Sequence, residues 1–122
     1  MGYETDFYGT FKISPKPKLE FTNQVNKFGE YWFDEEQDGH PDRDCQWYIN
    51  DEGELDWEGE NFYDYVEWLQ YLIDTFFQPS GYKLNGKVKW QGEDWEDRGI
   101  ITIKDNEMHV KEFGNTEYEK SN

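Results

Sequence analysis

Near Asn61 the spacing of the apolar side chains changes period, and that change limits the possible folds more than any other feature of the chain. Before it, in DCQWYIN and GELDWEG, apolar and polar residues alternate, the pattern of strands with one buried face. After it, Phe62, Tyr65, Val66, Leu69, Leu72, Ile73 and Phe76 follow the i, i+3, i+4, i+7 rule of an amphipathic helix. Strands and a helix that each have a single apolar face must bury those faces against one another. The expectation is therefore a layered α+β domain.

The remaining elements follow from the same reasoning. In YGTFKIS, Gly9, Phe11 and Ile13 alternate with Tyr8, Thr10 and Lys12, which predicts a first strand, and SPKPK punctuates it. Phe21, Val25, Phe28 and Trp32 then recur at helical spacing, and FDEEQDGHPDRD, residues 33–44, reads as a solvated loop. Around the turn residues NDEG, Cys45, Trp47 and Ile49 are expected to face the same way as Leu55 and Trp57. Asn61 is the expected N-cap of the second helix, and Pro79 with Gly81 its end. In YKLNGKVKWQG, Tyr82, Leu84, Gly86, Val88 and Trp90 alternate with Lys83, Asn85, Lys87, Lys89 and Gln91; GIITIK and MHVKEF follow around a DNE turn. The order predicts a mostly antiparallel sheet of about five to six strands with two helices packed on one face, split βαβ-like. Residues 1–115 are expected to form one acidic domain, and residues 116–122 to fray.

Composition adds the electrostatic argument. Of 122 residues, 28 are Asp or Glu and 12 are Lys or Arg, for a net charge of −16. Residues 44–82 contain ten acids and no base. Acidic disordered segments are poor in rings, whereas 20% of this chain is Phe, Trp or Tyr and it has no Ala, so the charge belongs to a folded, ring-rich domain. A field of this sign repels nucleic acid and anionic membranes and attracts basic surfaces. No apolar run is long enough to span a membrane. The single cysteine, Cys45, rules out an internal disulfide and points to a reducing compartment, and the N-terminus lacks a signal-peptide pattern, so a cytoplasmic location is expected.

Two strings in the second half are specific: FYDYVEWLQYLI at 62–73 and GYKLNGKVKWQGED within 79–94, preceded by CQW at 45–47 and followed by GIITIKDNEMHV. On the patterns FYxYxEWLxYLI and GYxLNGxVxWxGED, the last two thirds of the chain resembles a family of small proteins of bacteria and DNA viruses, including phages. The resemblance implies a viral or mobile-element origin and an accessory or counter-defence role. It implies no catalytic residue, because that family has no established activity.

The sequence carries few signs of chemistry. Asp34, Glu36, Asp38 and Gly39 approach an EF-hand register, but Cys45 falls where the loop needs a bidentate Glu. His40, Cys45 and His109 have no paired metal-ligand spacing, and no phosphate-binding glycine loop or nucleophile elbow occurs. No cofactor and no enzymatic activity are expected. Lys83, Lys87 and Lys89 lie on one strand face with Trp90 and Trp95 nearby, yet three lysines are outweighed by the overall charge, so direct nucleic-acid binding is not expected. Internal partnering or protection of a sheet edge explains them instead.

What remains is the acidic stretch DEGELDWEGENFYDYVEW. Glu54, Asp56 and Glu58 occupy successive outward positions of a strand, next to Asp51 and Glu52 in the turn. On the helix, Glu60, Asp64, Glu67 and Asp74 lie opposite the apolar stripe, with axial steps of about 6, 4.5 and 10.5 Å, the first two near the phosphate spacing along one nucleic-acid strand, about 7 Å. Tyr63 and Tyr71 beside them supply amphipathic anchors. These eleven residues are the expected contact set of a non-enzymatic binding protein that occupies a basic, nucleic-acid-binding protein surface, as a nucleic-acid mimic or an anti-CRISPR factor would. The alternatives are a small-ligand (nucleotide or metabolite) sequestering protein with a pocket formed by Trp47, Trp57, Trp68 and Trp90, and an immunity protein for a basic toxin.

Overall fold

The computed structural model describes residues 3–30, 45–59 and 62–113. Trp32, the acidic loop with its EF-hand-like positions, His40, Glu60, the expected cap Asn61 and the tail lie outside the described residues. The described chain runs β1 (Thr5–Tyr8), β2 (Phe11–Ser14), α1 (Leu19–Phe28), β3 (Trp47–Ile49), β4 (Glu54–Trp57), α2 (Tyr65–Leu72, continued by a π turn, Ile73–Phe77), β5 (Lys83–Gly92), β6 (Arg98–Lys104) and β7 (Glu107–Glu112).

Among the described residues the fold is α+β, as expected, with seven strands where five to six were predicted. The additional strand is β1, whose residues Thr5–Phe7 precede the expected first strand, residues 8–14. β1 and β2 pair with β5 in one continuous antiparallel register, Tyr8 opposite Lys89 and Phe11 opposite Gly86, so no residue is inserted between them. Gly9 adopts φ 107°, and a Cβ there would lie 2.8 Å from the Lys87 carbonyl oxygen. Backbone runs so close at this point that only glycine fits, and the ladder is interrupted.

Strand order in the sheet is β3-β4-β2-β5-β6-β7, every pairing antiparallel. β2 and β3, joined through α1, flank β4; β4 and β5, joined through α2, flank β2. Two interlocked split βαβ units are the ferredoxin-like arrangement, extended here by the β6–β7 hairpin. That hairpin turns through Asp105 and Asn106, both at positive φ. The Asn106 side-chain oxygen accepts from the Leu84 N–H at 2.7 Å, and its amide donates to the Tyr82 carbonyl at 2.9 Å and to Gln78 Oε1 at 2.8 Å. One buried amide thus clamps the turn, the start of β5 and the end of α2 together.

A single core lies between the helices and one sheet face. Phe11, Trp47, Leu55, Phe62, Trp68, Leu69, Leu72, Phe77, Leu84, Val88 and Ile101 are almost wholly buried in it. The predicted hairpin register holds, with Trp47 opposite Trp57 and Ile49 opposite Leu55. Phe7 is the hub of the aromatic packing, its ring centroid 5.5 Å from that of Trp47, 5.1 Å from Trp57 and 4.9 Å from Tyr65. Each such buried ring contributes about 1.5–3 kcal/mol through the apolar surface it removes from water.

The second helix differs from its sequence expectation. Its buried residues are Trp68 and Leu69, Leu72 and Ile73, Phe76 and Phe77, pairs that recur every four residues. At about 100° per residue an α-helix drifts about 40° per four-residue step, and such a stripe would rotate off the sheet. The π turn removes the drift by widening the helix: the Gln78 N–H reaches back five residues to the Ile73 carbonyl at 2.8 Å. The helix ends as expected, with Gly81 at φ 83° and the Tyr82 N–H closing on the Phe77 carbonyl at 2.9 Å.

Candidate interaction surfaces

The β3–β4 turn presents its charges by local chemistry. Asn50 Oδ1 accepts from the N–H groups of Glu52 and Glu54, each at 3.0 Å, and Gly53 supplies the positive φ of 78°. The tip is therefore fixed from inside, and the Asp51 and Glu52 side chains point into solvent.

Along β4 the three expected outward carboxylates are not equivalent. Glu54 is half-buried; it accepts from Lys12 Nζ at 2.8 Å and from Thr10 Oγ1 at 2.8 Å. The Lys12 bond, then the Thr10 bond, hold its carboxyl below the ordinary glutamate value. Asp56 is also half-buried, accepting from the Trp57 N–H at 2.8 Å and from Asn50 Nδ2 at 3.4 Å. Its charge is felt by Tyr48, whose phenol is pushed up first by burial and then by Asp56, Glu58 and Asp51. Glu58 is exposed.

The helix acids do not join this row. Leu55 points into the core, so Glu54, Asp56 and Glu58 face away from the helices, whereas Glu67 and Asp74 face outward from α2 on the other side of the sheet. The strand row and the helix row are two surfaces rather than one. Nor is the helical spacing kept at its start: α2 begins at Tyr65, and Asp64 precedes it in the left-handed region, at φ 54°. Asp74 Oδ1 accepts from Gln70 Nε2 one turn earlier, at 2.9 Å.

Of the two expected anchors, Tyr63 is exposed, and its hydroxyl accepts the Tyr3 N–H at 2.9 Å. Tyr71 is half-buried: it stacks on Phe28 at 5.6 Å and meets Trp68 edge-on at 5.6 Å, so it joins the helices and is not an outward anchor. A more prominent exposed ring than either tyrosine is Trp95, expected only as a neighbour of the β5 lysines. Trp95, 67% exposed, stands on the acidic loop after β5 with the Arg98 guanidinium 4.4 Å from its ring. Asp97 fixes that loop, accepting from the Tyr3 hydroxyl at 2.7 Å and from Trp90 Nε1 at 2.9 Å. A tryptophan within the run EDWED was the available signal.

Because the helices stop short of β7, the core side of that strand is left partly open. There, Tyr65, Val66, Trp90 and Val110 floor a groove of about 330 Å³, with Asp64, Glu67 and Glu112 at its rim. Burial is the main cause of the raised pKa of the Tyr65 phenol, with the Asp97 carboxylate adding to it. Of the four tryptophans expected to form a pocket, Trp47 and Trp68 are sealed in the core, Trp57 packs on Phe7, and Trp90 alone borders the groove.

Among the described residues no group of His, Cys, Asp and Glu side chains is arranged to hold a metal ion, and no helix is long and apolar enough to cross a membrane. Cys45 is buried in the core, its sulfur 3.9 Å from the Trp47 carbonyl oxygen. No family model, curated protein or solved structure matches this chain.

Proposed function

We propose that this is a non-enzymatic binding protein that docks on a basic surface of another protein, of the kind that otherwise holds DNA or RNA. The observation carrying the reading is the separation of charge. Residues 44–82 have ten acids and no base, and within the fold Glu54 is met by a lysine from outside that stretch, Lys12. Asp51, Glu52 and Glu58 on one side, and Glu67 and Asp74 on the other, remain exposed on rigid elements. Exposed carboxylates steer a basic partner, and Trp95 adds an exposed ring of the type interfaces use. In a phage setting the partner would be a restriction or CRISPR effector or another DNA-binding enzyme; a basic nuclease toxin would present the same chemistry.

The test is displacement of labelled duplex from a panel of purified basic DNA-binding proteins at low ionic strength. Wild-type protein is expected to compete, with a steep loss on adding salt, and the variant Asp51→Asn/Glu52→Gln/Glu58→Gln/Glu67→Gln/Asp74→Asn to compete at least about tenfold less well with an unchanged melting temperature. Equal competition by the variant, or none by the wild type, would overturn the reading. A small-ligand reading has one observation in its favour, the groove floored by Tyr65 and Trp90. A retained small molecule in native mass spectrometry, lost on Val110→Trp, is its expected signature.

A further inference from the structure

The acids are not the only charges the fold sorts. Residues at odd positions of β5 and even positions of β6 point away from the helices, because their neighbours Leu84, Val88, Trp90, Ile101 and Ile103 are in the core. That outer face collects Lys83, Lys87 and Lys89 from β5, Arg98 and Lys104 from β6 and Lys111 from β7; its acids are Glu107, directly opposite Lys104, and Asp6 of β1, opposite Gln91. The registers align them in rows across the strands: Tyr8, Lys89, Ile100, Lys111 in one, and Lys87, Thr102, His109 in the next.

The ordinary explanations account for only part of this cluster. Lys83, Lys87, Lys89 and Lys104 form no ion pair with a described residue; the lysine that does is Lys12, with Glu54. Edge protection can account for Lys111 on the edge strand β7 but not for the lysines of β5 and β6, which are interior strands. Solubility is already provided by a net charge of −16. Lys87 and Lys89 stand two residues apart on one strand face, and Lys111 lies in the same row as Lys89, so an anion laid on this face meets several cations at once.

We propose that the helix-free face of β5, β6 and β7 is a platform for single-stranded nucleic acid, its phosphates held by Lys87, Lys89, Lys104 and Lys111 and a base stacked on Tyr8. Tyr8 is 58% exposed and stands directly beside Lys89 in the ladder. Lys87 and Lys89 are about 6.7 Å apart along the strand and Lys111 stands about 9.5 Å from Lys89 across two strands, so the cations track an extended backbone. A flat surface with an exposed ring reads base faces, which a duplex hides and a single strand offers. The acids of α2 point away on the opposite side of the sheet; those of β4 share this face but lie two strand spacings from β5, about 9.5 Å, so their field on the platform is strongest at low salt and is screened over about 10 Å at 0.1 M.

The experiment is fluorescence anisotropy of a labelled oligothymidine and a labelled oligouridine with the full chain at low ionic strength. Binding is expected, with a log–log salt slope of about −2 to −3, taking about −0.7 per phosphate neutralised. Lys87→Gln/Lys89→Gln should weaken it at least about tenfold and Tyr8→Ala about fivefold or more, while Lys16→Gln/Lys27→Gln, with the same change in net charge off the platform, should leave it within about twofold. Three results would overturn the proposal: no binding, equal loss in the two lysine pairs, or competition by polyglutamate as effective as by unlabelled oligonucleotide, which would identify an acidic protein segment as the ligand. The acidic surfaces play no part in this test, so its outcome leaves the proposed docking on a basic protein untouched.

Discussion

The β3–β4 edge and the β5–β7 end of the sheet share one outer face and carry opposite charge. On β4 and its turn stand Asp51, Glu52, Glu54, Asp56 and Glu58; on β5 to β7 stand Lys83, Lys87, Lys89, Arg98, Lys104 and Lys111. β2 separates them, and there Lys12 meets Glu54 at 2.8 Å. The contrast shows that net charge describes this surface poorly. A chain with a charge of −16 can present a basic platform once the consecutive strands β5, β6 and β7 pair and turn their lysines to one face.

Beneath that face the two regions share one core, so the contrast belongs to the surface and not to separate folding units. Leu55→Ala, under the acidic edge, is expected to cost about 2–5 kcal/mol, the range for a fully buried leucine. Urea unfolding followed by tryptophan fluorescence and by far-ultraviolet circular dichroism should give one coincident transition, and two separated transitions would show that the regions fold independently. Asn106→Ala, under the basic end, removes the amide that serves Leu84, Tyr82 and Gln78; it should cost about 2–3 kcal/mol in the same assay, because buried backbone groups lose their partners.

The smallest effect lies at the boundary. Glu54 has a lowered pKa in the fold, so its contribution is complete above its unfolded value of about 4.3 and is lost as pH falls through the folded one. Lys12 is raised by the same bond, so its contribution is complete below about 10.4 and is lost as pH rises through its folded value. The melting-temperature gap between wild type and Glu54→Gln should therefore be a plateau near neutral pH that closes in acid and again in alkali. A gap independent of pH would show that Glu54 acts through packing and not through its charge.

How much was legible in the sequence depended on the range of the interaction that decided it. The β3–β4 hairpin, the alternation of β5, the Asp105–Asn106 turn and the end of α2 at Gly81 were readable, because side-chain period and turn chemistry are local. The break at Gly9 was not, since it answers to the approach of Lys87 from a strand about 80 residues away in sequence. Nor was the π turn, because an ideal helical ruler assigned Phe76 to the stripe and passed over Trp68 and Phe77. Of the candidate site, the exposure of Asp51, Glu52, Glu58, Glu67 and Asp74 was anticipated. The placement of the strand and helix acids on opposite sides, the internal use of Glu54, and the packing of Tyr71 were not.

The sequence by itself determined an acidic, ring-rich α+β domain, since patterning and composition act residue by residue. Only the tertiary structure decided which charges stand together. Strand order brings β2 between β4 and β5 and appends β6 and β7 beyond it, and the pleat then sends alternate side chains to opposite sides of the sheet. Charge is summed over a surface, and a surface exists only after distant strands have paired.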